Sequence, residues 1–201
     1  LKVPSIYAVP RMIPQEERLP LSQKLAGILN IPQEMIYKRI NSNKAFAWLK
    51  RRVSIEELEK IQALEDAAFG HVFENKRFYP HQELAAQVLG FVNIDGMGIE
   101  GLEMKFDRYL KGEGGYRLTV RDALGRDISA LDKKTISSVD GANITLTIDH
   151  YIQYLTEKAL DDAYTKWKAL GAMAIVMDPK TGEILSMVSR PTYNPQDVGN
   201  Y

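Results

Sequence analysis

The sequence has no cysteine and only three histidines among its 201 residues. Without cysteine the chain has neither a disulfide framework nor a thiolate metal site. His71, His81 and His150 stand singly and far apart in the sequence, which argues against a histidine metal site as well. We therefore expect no metal and no organic cofactor.

Long apolar runs and net charge are missing too. No stretch approaches the roughly 18 apolar residues of a membrane-spanning helix, and no signal peptide opens the sequence. The 26 basic and 26 acidic residues cancel, so no overall field attracts nucleic acid or an anionic membrane. Because the sequence begins at Leu1 and closes on the loop-like run Pro195–Tyr201, we expect it to be a piece of a longer protein, and the absence of a membrane anchor from this piece says nothing about the parent.

The composition that is present, 45% hydrophobic and 26% charged, fits one large or two small folded domains. The first part of the chain is predicted to begin with a strand at Ser5–Val9. Two short helices follow within Leu21–Ile40, and a second strand lies at Phe46–Val53. Ser54 and Glu57 then match a capping box, which predicts a helix that ends near Phe69–Gly70.

The middle of the chain is predicted to begin with a strand at His71–Tyr79. Two helices follow at His81–Leu89 and Gly98–Leu110, and then a β region at Tyr116–Val139. Gly90 closes the first of these helices, and a turn is expected at Asp122–Gly125. The pattern places a domain boundary near Asp140–Gly141.

The last part of the chain is predicted to hold a strand at Asn143–Ile148, a long helix at His150–Ala169 and a hairpin. Asp149 is expected to cap the helix. The hairpin strands are Ala172–Asp178 and Glu183–Ser189. The buried stripe of the helix is predicted to consist of Ile152, Leu155, Ala159, Ala163 and Trp167.

Gly96–Gly101 satisfies the pattern G-x-G-x-x-G, which can mark a dinucleotide site. A pyrophosphate needs bare N–H groups at a positive helix start, and the nearby carboxylates of Asp95, Glu100 and Glu103 would repel it. The same carboxylates favour a helix N-terminus that has no phosphate. We interpret the glycines as a tight turn followed by a helix start.

Lys180, Thr181 and Gly182 spell a K-T-G triad of penicillin-interacting enzymes. No serine of the sequence is followed three residues later by lysine, so the S-x-x-K nucleophile motif is absent from it. The triad lies between two apolar strands and follows Asp178-Pro179. It is therefore predicted to be a hairpin turn.

Two charged clusters have competing interpretations. Lys50–Arg52 is predicted to be a solvated or structurally paired face in preference to a partner surface, and nucleic-acid contact ranks last. Glu100 and Glu103 lie one helical turn apart and formally match a glycosidase carboxylate pair. Salt bridges between modules, which would also involve Arg77, are the favoured interpretation.

Four segments in this order and spacing carry a resemblance: Phe46–Arg52, Lys76–Pro80, Gly98–Glu103 and Gly171–Ser189. Together they resemble the non-catalytic half of a class B penicillin-binding protein, closer to the division and sporulation branch than to the elongation branch. The resemblance implies an α+β chain: an elongated pedestal (dimerisation) domain of short helices and mixed strands at residues 1–140. Residues 141–201 would then be the first helix and hairpin of the transpeptidase domain.

The resemblance also implies a function. The parent would be a peptidoglycan D,D-transpeptidase of cell-wall biogenesis, division and shape that works through a serine nucleophile and binds penicillin. This chain lacks the nucleophile and should be inactive. The residues that match the family's structural and partner-surface positions are Arg51, Arg52, Arg77, Gly98, Glu100, Gly101 and Glu103; no catalytic residue is carried over. The rival hypothesis is a freestanding extracytoplasmic binding scaffold, and a nucleotide-binding enzyme ranks third.

Implied partners are a membrane glycosyltransferase and other cell-wall synthesis proteins, stem peptides bound by the catalytic domain, and a second copy; nucleic acid is not expected. The implied location is the outer side of the bacterial membrane, with an N-terminal helical anchor. Two departures from the family stand out. The arginine-glycine motif that opens the pedestal is missing, and Gln82 replaces a frequent glycine. The hairpin is expected to have an exposed edge and face that a partner covers, or else to be poorly ordered.

Overall fold

The computed structural model describes residues 1–117 and 135–198. The chain divides into two compact units, Leu1–Arg77 and Phe78–Tyr201. The predicted boundary near Asp140–Gly141 concerns the family's domains and stays a prediction. The predicted turn at Asp122–Gly125 lies outside the described residues.

The first unit contains a three-stranded antiparallel sheet. Its strands are β1 (Lys2–Ala8), β2 (Ala47–Lys50) and β3 (Phe69–Asn75), in the order β2-β1-β3. Three helices join it: α1 (Arg18–Leu29), α2 (Gln33–Ile40) and α3 (Ile55–Gln62). These elements confirm the predicted strands at Ser5–Val9 and Phe46–Val53 and the two predicted helices.

The core of this unit is apolar and forms between the sheet and the helices. Alternation along the strands turns one residue in two toward the helices, and the helices return apolar residues at helical spacing. The fully buried members are Ile6, Ala8, Leu25, Leu29, Ile36, Ile40 and Leu49. Burial of this kind stabilises a fold by about 1.5–3 kcal/mol for each large side chain.

The capping box at the start of α3 is confirmed. The Glu57 N–H donates to Ser54 Oγ at 3.1 Å, and the Ser54 N–H donates to Glu57 Oε2 at 3.0 Å. The predicted end near Phe69–Gly70 is wrong, because α3 stops at Gln62. Glu65 adopts φ +51°, and Asp66 Oδ1 accepts the Ala68 N–H at 2.8 Å, which together turn the chain into β3.

Two helices predicted in the second unit are shorter than expected. In place of His81–Leu89 there is only α4 (Ala86–Leu89), because Gln82 and Ala85 adopt φ +50° and +55° and interrupt the helix. In place of Gly98–Leu110 there are α5 (Gly101–Lys105) and α6 (Asp107–Leu110), separated at Phe106, whose φ is −113°. A short pair of strands follows, β4 (Tyr116–Arg117) with β5 (Thr135–Ile136).

The predicted strand at Asn143–Ile148 is wrong. The segment forms no strand. Thr147 Oγ1 instead donates to the Ile184 carbonyl at 2.7 Å, and the Asp149 N–H donates to the Leu185 carbonyl at 2.9 Å. These contacts hold the segment against the outer edge of a later strand without a continuous ladder.

The long helix and the hairpin are confirmed. They are α7 (His150–Trp167), β6 (Ala172–Met177) and β7 (Ile184–Arg190). The Asp149 carboxylate accepts the N–H groups of Tyr151 and Ile152 at 2.9 and 2.8 Å, as predicted for a cap. Among the described residues, no helix is both long enough and apolar enough to cross a membrane.

Candidate support and partner-contact sites

The basic cluster of the first unit is largely paired within that unit. The Arg51 guanidinium donates to both oxygens of Glu74, at 2.6 and 3.0 Å, and so joins the end of β2 to β3 across the sheet. Lys50 Nζ contacts Glu57 at 2.5 Å and the Leu29 carbonyl at 2.7 Å, which ties β2 to α3 and α1. The structurally paired interpretation is therefore confirmed for Lys50 and Arg51.

The Glu74 carboxylate is held in its charged form. The hydrogen bonds from Arg51 lower the pKa of Glu74 below its ordinary value of 4.5; burial opposes them, and the Ser5 hydroxyl adds a further hydrogen bond. Ser5 Oγ also accepts the Arg52 N–H at 2.8 Å, and Arg52 itself adopts φ +55°. Arg77 follows β3 at the end of the unit with an exposed side chain.

Aromatic rings cover part of the sheet on the side away from the core. Tyr7 stacks on Phe46 at 5.0 Å, Phe46 meets Trp48 edge-on at 4.9 Å, and the Arg51 guanidinium lies 5.3 Å from the Trp48 ring. A Cβ at Gly70 would stand 2.4 Å from the Tyr7 ring, so glycine is required beneath it. Aromatic residues and arginine are the types most enriched at protein interfaces.

The glycines of the second unit permit close backbone packing. A Cβ at Gly90 would meet the Glu100 carbonyl at 1.8 Å, and a Cβ at Gly98 would meet the Glu103 carbonyl at 2.1 Å. Gly101, with φ +60°, packs against the backbone of Gly90. The Gly98 N–H donates to Asp107 Oδ1 at 2.8 Å, so a protein carboxylate occupies a donor that a phosphate would need. This arrangement supports the turn and helix start in preference to a nucleotide site.

Glu100 and Glu103 contact different tyrosines. Tyr79 donates to the buried Glu103 at 3.4 Å, and Tyr193 donates to the exposed Glu100 at 3.1 Å. Burial and the Glu100 carboxylate raise the pKa of Tyr193 to about 12, so it stays protonated at neutral pH. The carboxylates thus serve as acceptors for structural hydroxyls and do not converge as a catalytic pair. Salt bridges between modules stay a prediction.

A buried polar network joins α7 to the hairpin. Gln153, only 1% exposed, accepts the Met187 N–H at 2.9 Å and donates to the Met187 carbonyl at 3.1 Å, as a neighbouring strand would. It also donates to Glu157 at 2.7 Å, and Glu157 in turn accepts the Ala85 N–H at 2.9 Å. Sequence reasoning missed this network because polar residues at helical spacing are typical of a solvent-facing stripe.

Arg190 completes the network from the end of β7. Its guanidinium binds Asp161 through two nitrogens, with one contact at 2.8 Å, and approaches Glu157 at 3.4 Å. The hydrogen bonds from Arg190 lower the pKa of Asp161 below 3.8, and Asp161 in return raises the pKa of Arg190. The face of α7 toward the hairpin is therefore charged and fully paired.

The predicted buried stripe of α7 is wrong, because its apolar side points outward. Leu155 is 45% exposed and Trp167 is 75% exposed, whereas Gln153 and Glu157 are buried. The outer side of the hairpin is exposed as well, as the sequence predicted. We call these exposed side chains the outer apolar face; they are Leu155, Trp167, Leu170, Met173, Ile175 and Met177.

The K-T-G triad forms the hairpin turn, as predicted. The Gly182 N–H donates to the Asp178 carbonyl at 2.9 Å, the Lys180 N–H donates to Asp178 Oδ1 at 2.7 Å, and Gly182 adopts φ +78°. Within residues 1–117 and 135–198, no group of three or more His, Asp or Glu side chains is placed to hold a metal ion.

Comparisons with known proteins agree over most of the chain. The family described as Penicillin-binding Protein dimerisation domain matches residues 1–146, and the Penicillin binding protein transpeptidase domain matches residues 172–200. Peptidoglycan D,D-transpeptidase FtsI of Escherichia coli K12 is 34% identical over 98% of this chain and 34% of its own length. Stage V sporulation protein D of Bacillus subtilis is 34% identical over 96% of this chain and 30% of its own length.

The fold is similar to a solved structure of the same class. A complex between penicillin-binding protein PBP2 and MreC from Helicobacter pylori matches with a TM-score of 0.76 and 20% identity, over 98% of this chain and 39% of that chain. The chain spans about a third of the length of the curated relatives it matches.

Proposed function

The chain belongs to the class B penicillin-binding proteins, and on that premise we propose that it is the non-catalytic part of a peptidoglycan D,D-transpeptidase. The observation that carries the proposal is the order of the two matches, a dimerisation domain at 1–146 followed by the opening of a transpeptidase domain at 172–200. In this proposal residues 1–140 form the pedestal, and residues 141–201 supply the first helix and hairpin of the catalytic domain.

The described contacts support a role in holding the catalytic domain. The Arg51–Glu74 pair fixes β2 and β3 on either side of β1, and the packed backbones of Gly90, Gly98 and Gly101 leave little room for movement. In the second unit, Gln153 and Arg190 tie α7 to β7 by hydrogen bonds that have definite geometry. Rigid support of this kind keeps a distant nucleophile in a productive position.

The chemistry itself would lie in the parent protein. A serine followed three residues later by lysine would attack the donor stem peptide, form an acyl-enzyme and release D-alanine, and a β-lactam would acylate the same serine. This chain holds no such serine, and its own Lys180–Gly182 is a hairpin turn. The 201 residues are therefore proposed to be inactive by themselves.

The alternative of a freestanding scaffold fits the outer apolar face less well. Leu170 is 100% exposed, Met173 is 81% exposed and Ile175 is 62% exposed. Met173 and Ile175 lie side by side on one face of β6, and neighbouring exposed apolar side chains of this size are normally covered in a soluble protein. A continuing transpeptidase domain would provide the cover within the same chain, so we favour the enzyme part over the scaffold.

We further propose that the pedestal contacts other cell-wall synthesis proteins on the outer side of the bacterial membrane, and that an N-terminal helix anchors the parent there. The Helicobacter pylori protein of similar fold was solved in complex with MreC, which supports a protein partner for this chain. A membrane glycosyltransferase and a second copy are further candidate partners. Arg51, Arg52, Arg77, Gly98, Glu100, Gly101 and Glu103 are the proposed support and partner-surface residues.

Labelling with a fluorescent penicillin tests the proposal. The 201 residues should take up no label, whereas the protein translated from the same reading frame through a downstream Ser-x-x-Lys should be labelled. Substitution of that downstream serine by alanine is the control and should abolish the label. Covalent labelling of the 201 residues themselves, or a stop codon directly after Tyr201, would contradict the proposal.

A further inference from the structure

A cavity of about 380 Å³ lies beside α3 in the first unit. Leu58, Ile61 and Phe69 give it an apolar lining, and Glu65 and Asp66 lie at its rim. Its volume is within the range of roughly 300–1,000 Å³ that binding clefts occupy. Nothing in the proposed support role of the pedestal requires a cavity at this position.

The cavity adjoins an edge of the sheet, because Phe69, Gly70 and His71 at the start of β3 line it. Leu1 and Lys76 exchange both backbone hydrogen bonds, at 2.9 and 2.7 Å, and the Val9 N–H donates to the Ala68 carbonyl. Hydrogen-bonded pairs recur at every second residue of an antiparallel ladder, so His71 and Phe73 direct their N–H and C=O groups away from β1. Of the strands that the structure describes, none pairs with β3 on that side. His71 also lines the cavity.

An edge and an adjoining apolar cavity together fit an extended peptide. Backbone groups of the peptide would pair with His71 and Phe73, and every second side chain would point toward the cavity. Exposed apolar side chains flank the same edge, because Val72 is 40% exposed and Phe73 is 57% exposed. A bound strand would cover them.

The charges beside the cavity select the occupant. Glu65 and Asp66, which follow α3, line the cavity. On α3 itself, Glu59 is exposed, and the cation Lys60 does not line the cavity. A second copy of this chain paired through β3 would bring two such acidic rims together, which is unfavourable. We propose that this edge and cavity bind an extended segment of a partner protein in which basic residues, which face the acidic cavity, alternate with apolar residues, which cover Val72 on the opposite face of the sheet. The proposal rests on the proposed function, because it names the chemistry of a pedestal partner.

Peptide binding to the 201-residue protein tests the proposal. The probe is a fluorescent peptide of about ten residues in which lysine and valine alternate, long enough to span the edge. One control peptide has glutamate in place of lysine, and another keeps the lysines but carries N-methyl groups on the backbone amides. We expect fluorescence anisotropy to detect binding of the first peptide only, and hydrogen exchange to slow at the N–H groups of His71 and Phe73.

Protein variants distinguish peptide binding at the β3 edge from non-specific attraction of a basic peptide to acidic residues. Glu65→Gln with Asp66→Asn removes the rim charge while the residue 66 side chain can still accept the Ala68 N–H, and should weaken binding about three- to tenfold. Phe73→Pro removes an outward N–H without touching the ladder to β1 and should abolish binding. Glu16→Gln with Glu17→Gln is the matched control and should leave binding unchanged.

Two results would overturn the inference: equal binding of the N-methylated peptide, or an equal effect of the control pair and the rim pair. Should Phe73→Pro lower the melting temperature sharply, the rim pair still decides. Penicillin labelling of the extended parent is scored separately. If the parent is labelled and the peptide fails, only this inference falls; if the peptide binds at the edge and the parent is not labelled, only the proposed function falls.

Discussion

The core of the first unit and the α7–hairpin region of the second unit bury different kinds of side chain. Between sheet and helices, the first unit buries aliphatic residues such as Ile6, Leu25 and Ile36, and its paired charges lie at the margin. The interface of α7 with β7 buries Gln153, Glu157 and Arg190 beside Val188, and Leu155 and Trp167 of α7 face outward.

The difference indicates how each region obtains its stability. An aliphatic core gains from burial alone and tolerates small changes of geometry. A buried charged network is stable only when every member is paired, and it fixes geometry more than it adds free energy. The α7–hairpin region therefore resembles the edge of a larger domain. In this region the polar network sets the position of α7 and the hairpin, and the outer apolar face is exposed.

The largest expected effect comes from the centre of the polar network. Arg190→Ala leaves Glu157 buried without its cation, and we expect a loss of about 3–5 kcal/mol in the free energy of unfolding. Lys158→Ala on the exposed side of α7 is the control and should change it by less than about 0.5 kcal/mol. Urea denaturation measures both. Equal effects would show that the network is not a determinant of stability.

The next prediction compares the two apolar surfaces directly. Leu25→Ala opens a cavity in the first unit and should lower the free energy of unfolding by about 3 kcal/mol. Ile175→Ala, at a residue 62% exposed, should lower it by less than about 0.5 kcal/mol in the 201 residues. In the protein extended through a transpeptidase domain, the second substitution should become as harmful as a core substitution, about 2 kcal/mol or more. An unchanged small effect there would mean that the outer apolar face stays uncovered.

Low pH should remove the stabilisation that the Arg51–Glu74 ion pair gives to the first unit. The pKa of Glu74 is lowered in the fold, so the stabilisation by Arg51 is fully present above the ordinary value of 4.5 and disappears as the pH falls through the lower, folded value. Glu74→Gln should therefore cost about 1 kcal/mol at pH 7 and nothing at a pH below the folded value. Denaturation curves of both proteins at a series of pH values test this. A difference that persists in acid would contradict an electrostatic origin.

Local signals in the sequence predicted the local structure well. Ser54 with Glu57 predicted the start of α3, Asp149 predicted the start of α7, and Gly182 predicted the hairpin turn, because each depends on residues a few positions apart. The glycines at Gly98 and Gly101 were likewise interpreted correctly as a turn and helix start.

Left-handed backbone positions and contacts between distant residues were not predictable in the same way. The end of α3 depends on a left-handed Glu65, and the loss of a helix before Ala86 depends on a left-handed Gln82; neither residue type signals that conformation. The buried face of α7 was misassigned because Gln153 and Glu157 become buried only when β7 and Ala85 supply their hydrogen bonds. Of the candidate site residues, the structure places Gly98 and Gly101 in one packed corner and Arg51 in an ion pair, and their roles toward partners stay proposals.

The smallest expected effect tests whether the second unit holds its backbone under strain. Gln82 adopts φ +50°, a region that is unfavourable by about 1 kcal/mol for a residue with a Cβ and accessible to glycine. Gln82→Gly should therefore raise the free energy of unfolding by up to about 1 kcal/mol, offset in part by the greater freedom of glycine in the unfolded chain. Gln62→Gly at the end of α3 is the same replacement in a right-handed helix and should lower it by about 0.5–1 kcal/mol. Thermal unfolding of both variants gives the comparison. If both lower stability equally, then the turn at Gln82 is not strained.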